Sequence, residues 1–210
     1  MALDSKTHPA RRRVFAPGLT DSGIASLGRG DALHFDDALE GNAAQCVRST
    51  ALRMDESGAL RDAGVGPDAV RHAEIRGDQI AWLDPANLPE GLDAVVSLFE
   101  DLMQTLNEEA YLGARTLECQ LAVYHEGRGY SRHRDATTSA SSRRATAIYY
   151  ANDWHAGDGG ELELWEDAGS RMLAPLADRM VVFRSQCTEH AVRPVVGAPR
   201  VAVSAFMHND

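Results

Sequence analysis

The chain has 210 residues, 44% hydrophobic and 25% charged, which is a globular composition and enough length to bury a sizeable core in one domain. A net charge of −10 excludes a general nucleic-acid binder, whose phosphate contacts need a basic face, although a local basic groove stays open. Cys46, Cys119 and Cys187 are odd in number and widely spaced, so neither a disulfide framework nor a zinc ribbon is indicated, and a reducing, cytoplasmic setting fits.

Residues 1–30 are rich in Gly, Ser and Pro and lack periodicity. They read as a loosely ordered arm with one edge strand near Val14-Phe15, and Arg11-Arg12-Arg13 reads as a solvated basic run. No stretch is long and apolar enough to span a membrane, and the first residues lack the apolar core of a signal peptide. Residues 31–210 are expected to form a single domain. The stripe Leu39, Ala43, Val47 and Leu52 predicts a helix over about Asp36–Met54, weakened by Gly41, and Gly58–Pro67 follows as loop. In Ile75–Trp82, Arg76 and Asp78 flank a turn and are expected to pair, with Ile80 and Trp82 packing below. Asn87-Leu88-Pro89 is expected to open the longest helix, because Pro suits a first turn, where its missing N–H costs nothing. Leu92, Val95, Val96, Phe99, Leu102, Met103 and Leu106 then recur at helical spacing as a core stripe.

After Gly113 the period changes to two. Leu117, Cys119, Leu121 and Val123 alternate with other residues as in a half-buried strand, and Cys119 reads as core. Further strands are expected at Thr146–Tyr150, Glu161–Trp165, Met180–Phe183 and Val201–Phe206. Helices followed by many short antiparallel strands predict an α+β fold, a β-sandwich or jelly roll with helices on one side.

Within this frame Tyr124–Asp135 is the stretch that carries chemistry. On a strand, residues two apart share a face, so His133 and Asp135 can converge. An imidazole and a carboxylate are two thirds of a 2-His-1-carboxylate facial triad, which leaves coordination positions open on iron. His190, after an apolar strand and a polar turn, is the candidate third ligand. His8, His34, His72, His125, His155 and His208 read as surface or loop histidines. Arg200, ten residues beyond His190, is expected on an adjacent strand facing the same cavity. Its planar fork binds a carboxylate bidentately and keeps its charge.

These motifs in this order resemble the 2-oxoglutarate- and Fe(II)-dependent dioxygenases of the prolyl 4-hydroxylase type, and within them the hypoxia-inducible-factor prolyl hydroxylases and their bacterial relatives. Arg76-Gly77-Asp78 through Trp82, Tyr124 through Asp135, Ile148-Tyr149-Tyr150-Ala151-Asn152-Asp153-Trp154 and Gly159-Gly160-Glu161-Leu162 are each similar to that group's segments, over about residues 35–208. The sequence departs from the animal enzymes of this group in a slightly shorter Tyr124–His133 loop and in Phe206, where they carry a tryptophan, and it differs in composition over Ala136–Ser142. These departures bear on the substrate more than on the chemistry.

The resemblance implies a double-stranded β-helix with supporting helices from the N-terminal half. It implies Fe(II) on His133, Asp135 and His190, and 2-oxoglutarate held by Arg200 with Tyr124 and Tyr150. Arg143, Tyr130, Val192 and Phe206 would lie at the mouth where a peptide docks. Tyr149, of opposite facing to Tyr150, stays an ordinary strand aromatic. The implied reaction consumes O2 and 2-oxoglutarate, releases succinate and CO2, and hydroxylates a prolyl residue in a protein, with ascorbate as a candidate stimulant. Elongation factor Tu is the candidate substrate, and neither nucleic acid nor membrane is an expected partner. Asp135 argues against a halogenase, which needs that position vacant. The alternatives are hydroxylation of a free amino acid or metabolite, a non-catalytic 2-oxoglutarate- or metal-binding module, and a zinc hydrolase with Glu189 as general base. The overall acidity suggests that a cationic or neutral loop approaches more readily than an acidic one.

Overall fold

Three strands with strict alternation make the centre of the molecule: β4 (Thr116–Tyr124), β6 (Arg143–Tyr150) and β11 (Arg200–His208). In this computed structural model, which describes residues 19–64, 74–136 and 141–210, β11 lies between the other two. β9 (Met180–Arg184) and β1 (Leu33–Phe35) extend the sheet beyond β6. β3 (Gln79–Trp82) and β2 (Arg61–Asp62) extend it beyond β4. A second antiparallel sheet has the order β5 (Tyr130–His133), β10 (Glu189–Val192), β7 (Leu162–Glu166) and β8 (Gly169–Leu173). The two sheets form the expected double-stranded β-helix.

Parity decides what each central residue does, because neighbours on a strand point to opposite faces. Odd-numbered Cys119, Leu121, Val123, Ala145, Ala147, Tyr149, Val201, Val203 and Ala205 join one core. That core is completed by α2 (Ala43–Glu56) and α3 (Asp93–Ala110), through Val47, Ala51, Val95, Phe99, Leu102 and Leu106. Even-numbered Ile148, Tyr150 and Ala202 turn inward and meet Leu162 and Leu164 of the second sheet. Cys119 is buried as expected, and burial followed by the Glu100 charge pushes its thiol up to about 12.

Several elements differ from expectation for local reasons. The arm expected over residues 1–30 lies outside the described residues as far as 18, including Val14-Phe15 and Arg11-Arg12-Arg13. Its remainder contains α1 (Asp21–Arg29), whose Thr20 side chain accepts the Gly23 N–H and whose Leu27 is buried. α2 begins at Ala43 rather than Asp36, because Asp37 (φ 55°) and Gly41 (φ 69°) take left-handed backbone that a helix cannot include. Likewise α3 begins at Asp93, after Gly91 (φ 81°), so Pro89 sits in the preceding turn. Asp62 and Arg61 form a short edge strand where loop was expected. Among the described residues no helix is long and apolar enough to cross a membrane.

Tyr149 shows how the helix-facing side is pinned. Its ring is fully buried and its hydroxyl donates to Asp178 Oδ1 at 2.8 Å. The same carboxylate oxygen accepts the Leu39 N–H at 2.9 Å, tying the segment before α2 to the turn before β9. Tyr149→Phe keeps the packing and removes this bond, so urea unfolding should show a loss of about 1 kcal/mol.

Candidate active site

A cavity of about 760 Å³ lies between the two sheets. Its metal-ligating corner is set by strand register. His133 closes β5 and His190 lies on β10, and the two are direct cross-strand partners with ring centroids 4.2 Å apart. Asp135 lies two residues past His133, just beyond the end of β5, so the chain's turn rather than strand alternation delivers it. Its Oδ1 is 3.6 Å from His133 Nε2 and 3.7 Å from His190 Nε2. The three ligand atoms lie within 4.8 Å of one another. Both imidazoles are oriented through their other nitrogen. His133 Nδ1 is 2.8 Å from the Ser131 carbonyl, and His190 Nδ1 is 3.4 Å from that of Thr188. A proton on each Nδ1 leaves the Nε2 lone pairs aimed inward, the usual orientation of a metal-ligating histidine.

The second carboxylate oxygen is not free. Thr146 donates its hydroxyl to Asp135 Oδ2 at 2.6 Å, and its oxygen lies 2.9 Å from Ser185 Oγ. Thr146 and Ser185 are both buried. With Oδ2 held this way, Asp135 presents one oxygen to the corner. Burial opposes ionisation of Asp135, but His190, His133 and the Thr146 hydroxyl outweigh it and hold the carboxyl below its usual range. Burial pushes His190 down to about 4, so its ring is neutral and able to ligate at neutral pH. Two imidazoles and one carboxylate oxygen are the donor set of a facial triad and suit Fe(II).

Arg200 lies elsewhere than expected. β10 and β11 belong to different sheets, so His190 and Arg200 face the same cavity from opposite walls rather than from adjacent strands. The connection Arg193–Pro199 crosses between the sheets instead of returning within one. Arg200 is 4% exposed, and its Nε donates to the Gly160 carbonyl at 2.8 Å. Its guanidinium carbon lies 5.0 Å from the ring centroids of both Tyr124 and Tyr150. Tyr124 is its cross-strand partner. Gly160 has φ 72°, and a Cβ there would stand 3.0 Å from Arg200 Cδ, so the glycine supplies both backbone freedom and room. Asn152 fixes the start of β11. Its amide donates to the Pro175 and Val201 carbonyls and accepts the Val201 N–H.

The Tyr150 hydroxyl is buried without a hydrogen-bond partner among the described residues. Burial raises its pKa, with Arg200 acting in the opposite direction, so it is a proton donor at neutral pH. An unsatisfied buried donor beside an arginine is costly unless something accepts from it, and a carboxylate fits both groups. The residues therefore suit both Fe(II) and one end of a dicarboxylate.

Tyr130, Arg143, Val192 and Phe206 are all among the residues that line the cavity. Tyr130 stacks on His133 with centroids 3.6 Å apart, and Arg143 lies 4.0 Å from the Phe206 ring centroid. Arg76 does pair with Asp78, through Nε at 2.8 Å and Nη2 at 2.9 Å, and its Nη2 also donates to Gln120 Oε1 at 2.9 Å. Trp82, expected beneath this turn, is instead 42% exposed at the rim, 5.9 Å from Phe206. Of the other histidines, His125 pairs with Asp55, His155 with Asp158 and His208 with Glu118, while His34 lies on β1. His8 and His72 lie outside the described residues. Sequence reasoning missed Thr146, Ser185, Gln120 and Asn152. Parity placed Thr146 and Gln120 inward, but nothing local marked them as partners of Asp135 and Arg76.

Comparison with known proteins agrees with this site. Residues 119–208 match the family model described as the 2OG-Fe(II) oxygenase superfamily, a span that contains every residue discussed at the metal corner and around Arg200. A Pseudomonas putida prolyl-4-hydroxylase crystal structure superposes with a TM-score of 0.81 at 28% identity, covering 95% of this chain and all of that one. The fold also matches a Trichoplax adhaerens prolyl hydroxylase in complex with a hypoxia-inducible-factor oxygen degradation domain peptide fragment, with TM-score 0.84, 22% identity and coverage of 99% and 94%. A prolyl 4-hydroxylase from Phytophthora capsici matches with TM-score 0.72 at 21% identity, covering 99% of this chain and 68% of that one.

Asp135→Ala should lose divalent-metal binding in a Co(II) titration followed by absorption, while thermal unfolding remains a single transition. Thr146→Val should still bind metal but more weakly, about 10- to 100-fold, as expected when a group orienting a ligand is removed. Unchanged Co(II) affinity in Asp135→Ala would remove this corner from consideration as a metal site.

Proposed function

We propose that this chain, a member of the 2OG-Fe(II) oxygenase superfamily, hydroxylates a prolyl residue within a protein substrate. It is a 2-oxoglutarate-dependent dioxygenase that uses Fe(II), 2-oxoglutarate and O2. When bound, the iron and cosubstrate supply the oxidising chemistry, which turns 2-oxoglutarate into succinate and CO2.

The chain's own residues do the rest. His133, Asp135 and His190 would hold the metal at one wall. Arg200 and the Tyr150 hydroxyl would hold the far carboxylate of 2-oxoglutarate at the opposite wall, with Tyr124 packed over the guanidinium. The separation of these two anchors across one cavity is the observation that carries the reading, because it orients a dicarboxylate between metal and arginine. Tyr130, Val192, Arg143 and Phe206 would then frame the substrate.

A protein substrate is favoured over a free amino acid by the carboxylates that line the cavity. Asp78 is taken by Arg76, Asp135 faces the two histidines, and Asp62 accepts from Gln79. The two inner ones, Asp78 and Asp135, are thus engaged, and Asp62 is exposed at the rim, so among the described residues no inner carboxylate is left to hold a free ammonium group. The Pseudomonas putida relative, a prolyl-4-hydroxylase similar over its whole length, supports the prolyl target. A loop of elongation factor Tu is the first substrate to try, and three free cysteines are consistent with a cytoplasmic setting. The hydrolase alternative is disfavoured because Glu189 is engaged by Arg132 and Arg134 rather than turned to the metal corner.

Truncating a buried carboxylate's bidentate partner costs about 2–5 kcal/mol. Arg200→Ala should therefore weaken 2-oxoglutarate binding at least tenfold by calorimetry. Tyr150→Phe should also weaken it, while leaving urea stability unchanged, in contrast to Tyr149→Phe.

The substrate assignment is tested by incubating the protein with Fe(II), 2-oxoglutarate and a proteome extract, then mapping residues that gain one oxygen by mass spectrometry. Prolines modified only when 2-oxoglutarate is present are the expected result. Oxygen gained by a free metabolite and by no protein would favour the small-molecule alternative.

A further inference from the structure

Resting on the reading of this cavity as a protein-substrate site, we propose that the segment it accepts is acidic, with Asp or Glu flanking the target residue. The charge of the cavity is opposite to that of the chain. Among the described residues five arginines and three aspartates line it, although the whole protein carries −10.

The inner charges cancel once the site is loaded. A divalent metal and Arg200 together match Asp135 and a dicarboxylate, and Arg76 is matched by Asp78 at 2.8 Å. What remains faces the incoming segment. Arg61 is exposed on the edge strand β2 and has no carboxylate partner among the described residues. Arg143 lies over the Phe206 ring, its Nη1 3.5 Å from the Asp135 carbonyl, and it too lacks a carboxylate partner among the described residues. Arg134 is 3.3 Å from Glu189, but that single carboxylate also serves Arg132, so two guanidinium groups share one negative charge. Against these stands Asp62, whose carboxylate accepts from Gln79 at 3.3 Å.

The rim is therefore cationic on an anionic body. A segment must present negative charge to gain from it, and the surrounding acidic surface repels acidic chains that do not reach the mouth. This reverses the expectation from net charge alone, which favoured a cationic or neutral loop. Net charge governs approach from a distance, whereas within a screening length of about 8–10 Å the local arginines dominate. Trp82, tilted against Phe206, and the Phe206 ring beneath Arg143 add an apolar shelf, so an acidic segment with one large apolar residue fits the rim best.

The test uses the full chain loaded with Mn(II) and 2-oxoglutarate under nitrogen. Fluorescently labelled peptides share a central proline and differ only in flanks of Asp/Glu, Asn/Gln or Lys, and binding is read by anisotropy at low and moderate salt. Acidic flanks should bind at least tenfold tighter than neutral ones, and salt should shrink that advantage. Arg61→Glu, at an exposed position where folding is safe, and Arg143→Gln should each reduce it severalfold. Equal binding of all three peptides, tighter binding of the Lys peptide, or a salt-insensitive preference would overturn the proposal. Turnover of the same peptides in air with Fe(II) separates this from the prolyl assignment. Acidic peptides that bind tightly but gain no oxygen on proline would remove that assignment and leave the acidic preference standing. Proline hydroxylation without any charge preference would do the reverse.

Discussion

Everything at the site depends on the alternation of β4, β6 and β11. Their odd-numbered residues are spent on packing against α2 and α3, and that packing forces the even-numbered ones to face the second sheet. A slip of one residue in β11 would bury Arg200 among the helices and turn Val201 into the cavity, so the hydrophobic core and the arginine's position are specified by one constraint. The neighbours Tyr149 and Tyr150 show this most directly. The first donates to Asp178 and serves stability, whereas the hydroxyl of the second has no hydrogen-bond partner among the described residues and lies beside Arg200.

The second sheet is smaller and has a different task. The register that sets His133 opposite His190 brings two ligands together, and Thr146 of the large sheet reaches across to hold the third. The metal corner is thus a joint between sheets. The polar groups that brace it, Thr146 and Ser185 at Asp135 and Asn152 at β11, are buried and satisfied, as expected where a buried charge must keep one geometry. The cost of leaving a group unsatisfied is accepted at Tyr150, on the wall where a ligand carboxylate would accept its proton.

Charge is segregated on the same plan. Arg76 is neutralised by Asp78 and supports the cavity wall from within, while Arg61 and Arg143 stand at the rim without acidic partners among the described residues. On the proposed reading, the arginine that would face the cosubstrate, Arg200, differs from Arg61 and Arg143, which would face the substrate, although all three line one cavity.

Much of this was legible in the residues themselves. The period-two pattern around Leu117–Val123 identified a strand and its buried face, and the apolar stripe from Leu92 to Leu106 identified a core helix. The spacing of His133 and Asp135 and the position of Arg200 pointed to candidate residues, and the surrounding motifs pointed to the family whose model matches residues 119–208. What sequence left open were the relations that depend on long-range pairing. Whether His190 and Arg200 share a sheet, whether Asp135 is delivered by a strand or by the turn after it, and which hydroxyl braces its second oxygen are decided by how β5, β10 and β11 pair, not by local periodicity. Helix starts were misjudged where Asp37, Gly41 and Gly91 adopt positive φ, a backbone state that composition alone does not reveal. The basic rim is not legible in net charge, which sums over the whole surface, whereas Arg61 and the pair Arg134 and Arg143 come from two distant stretches that only the tertiary fold brings to one cavity.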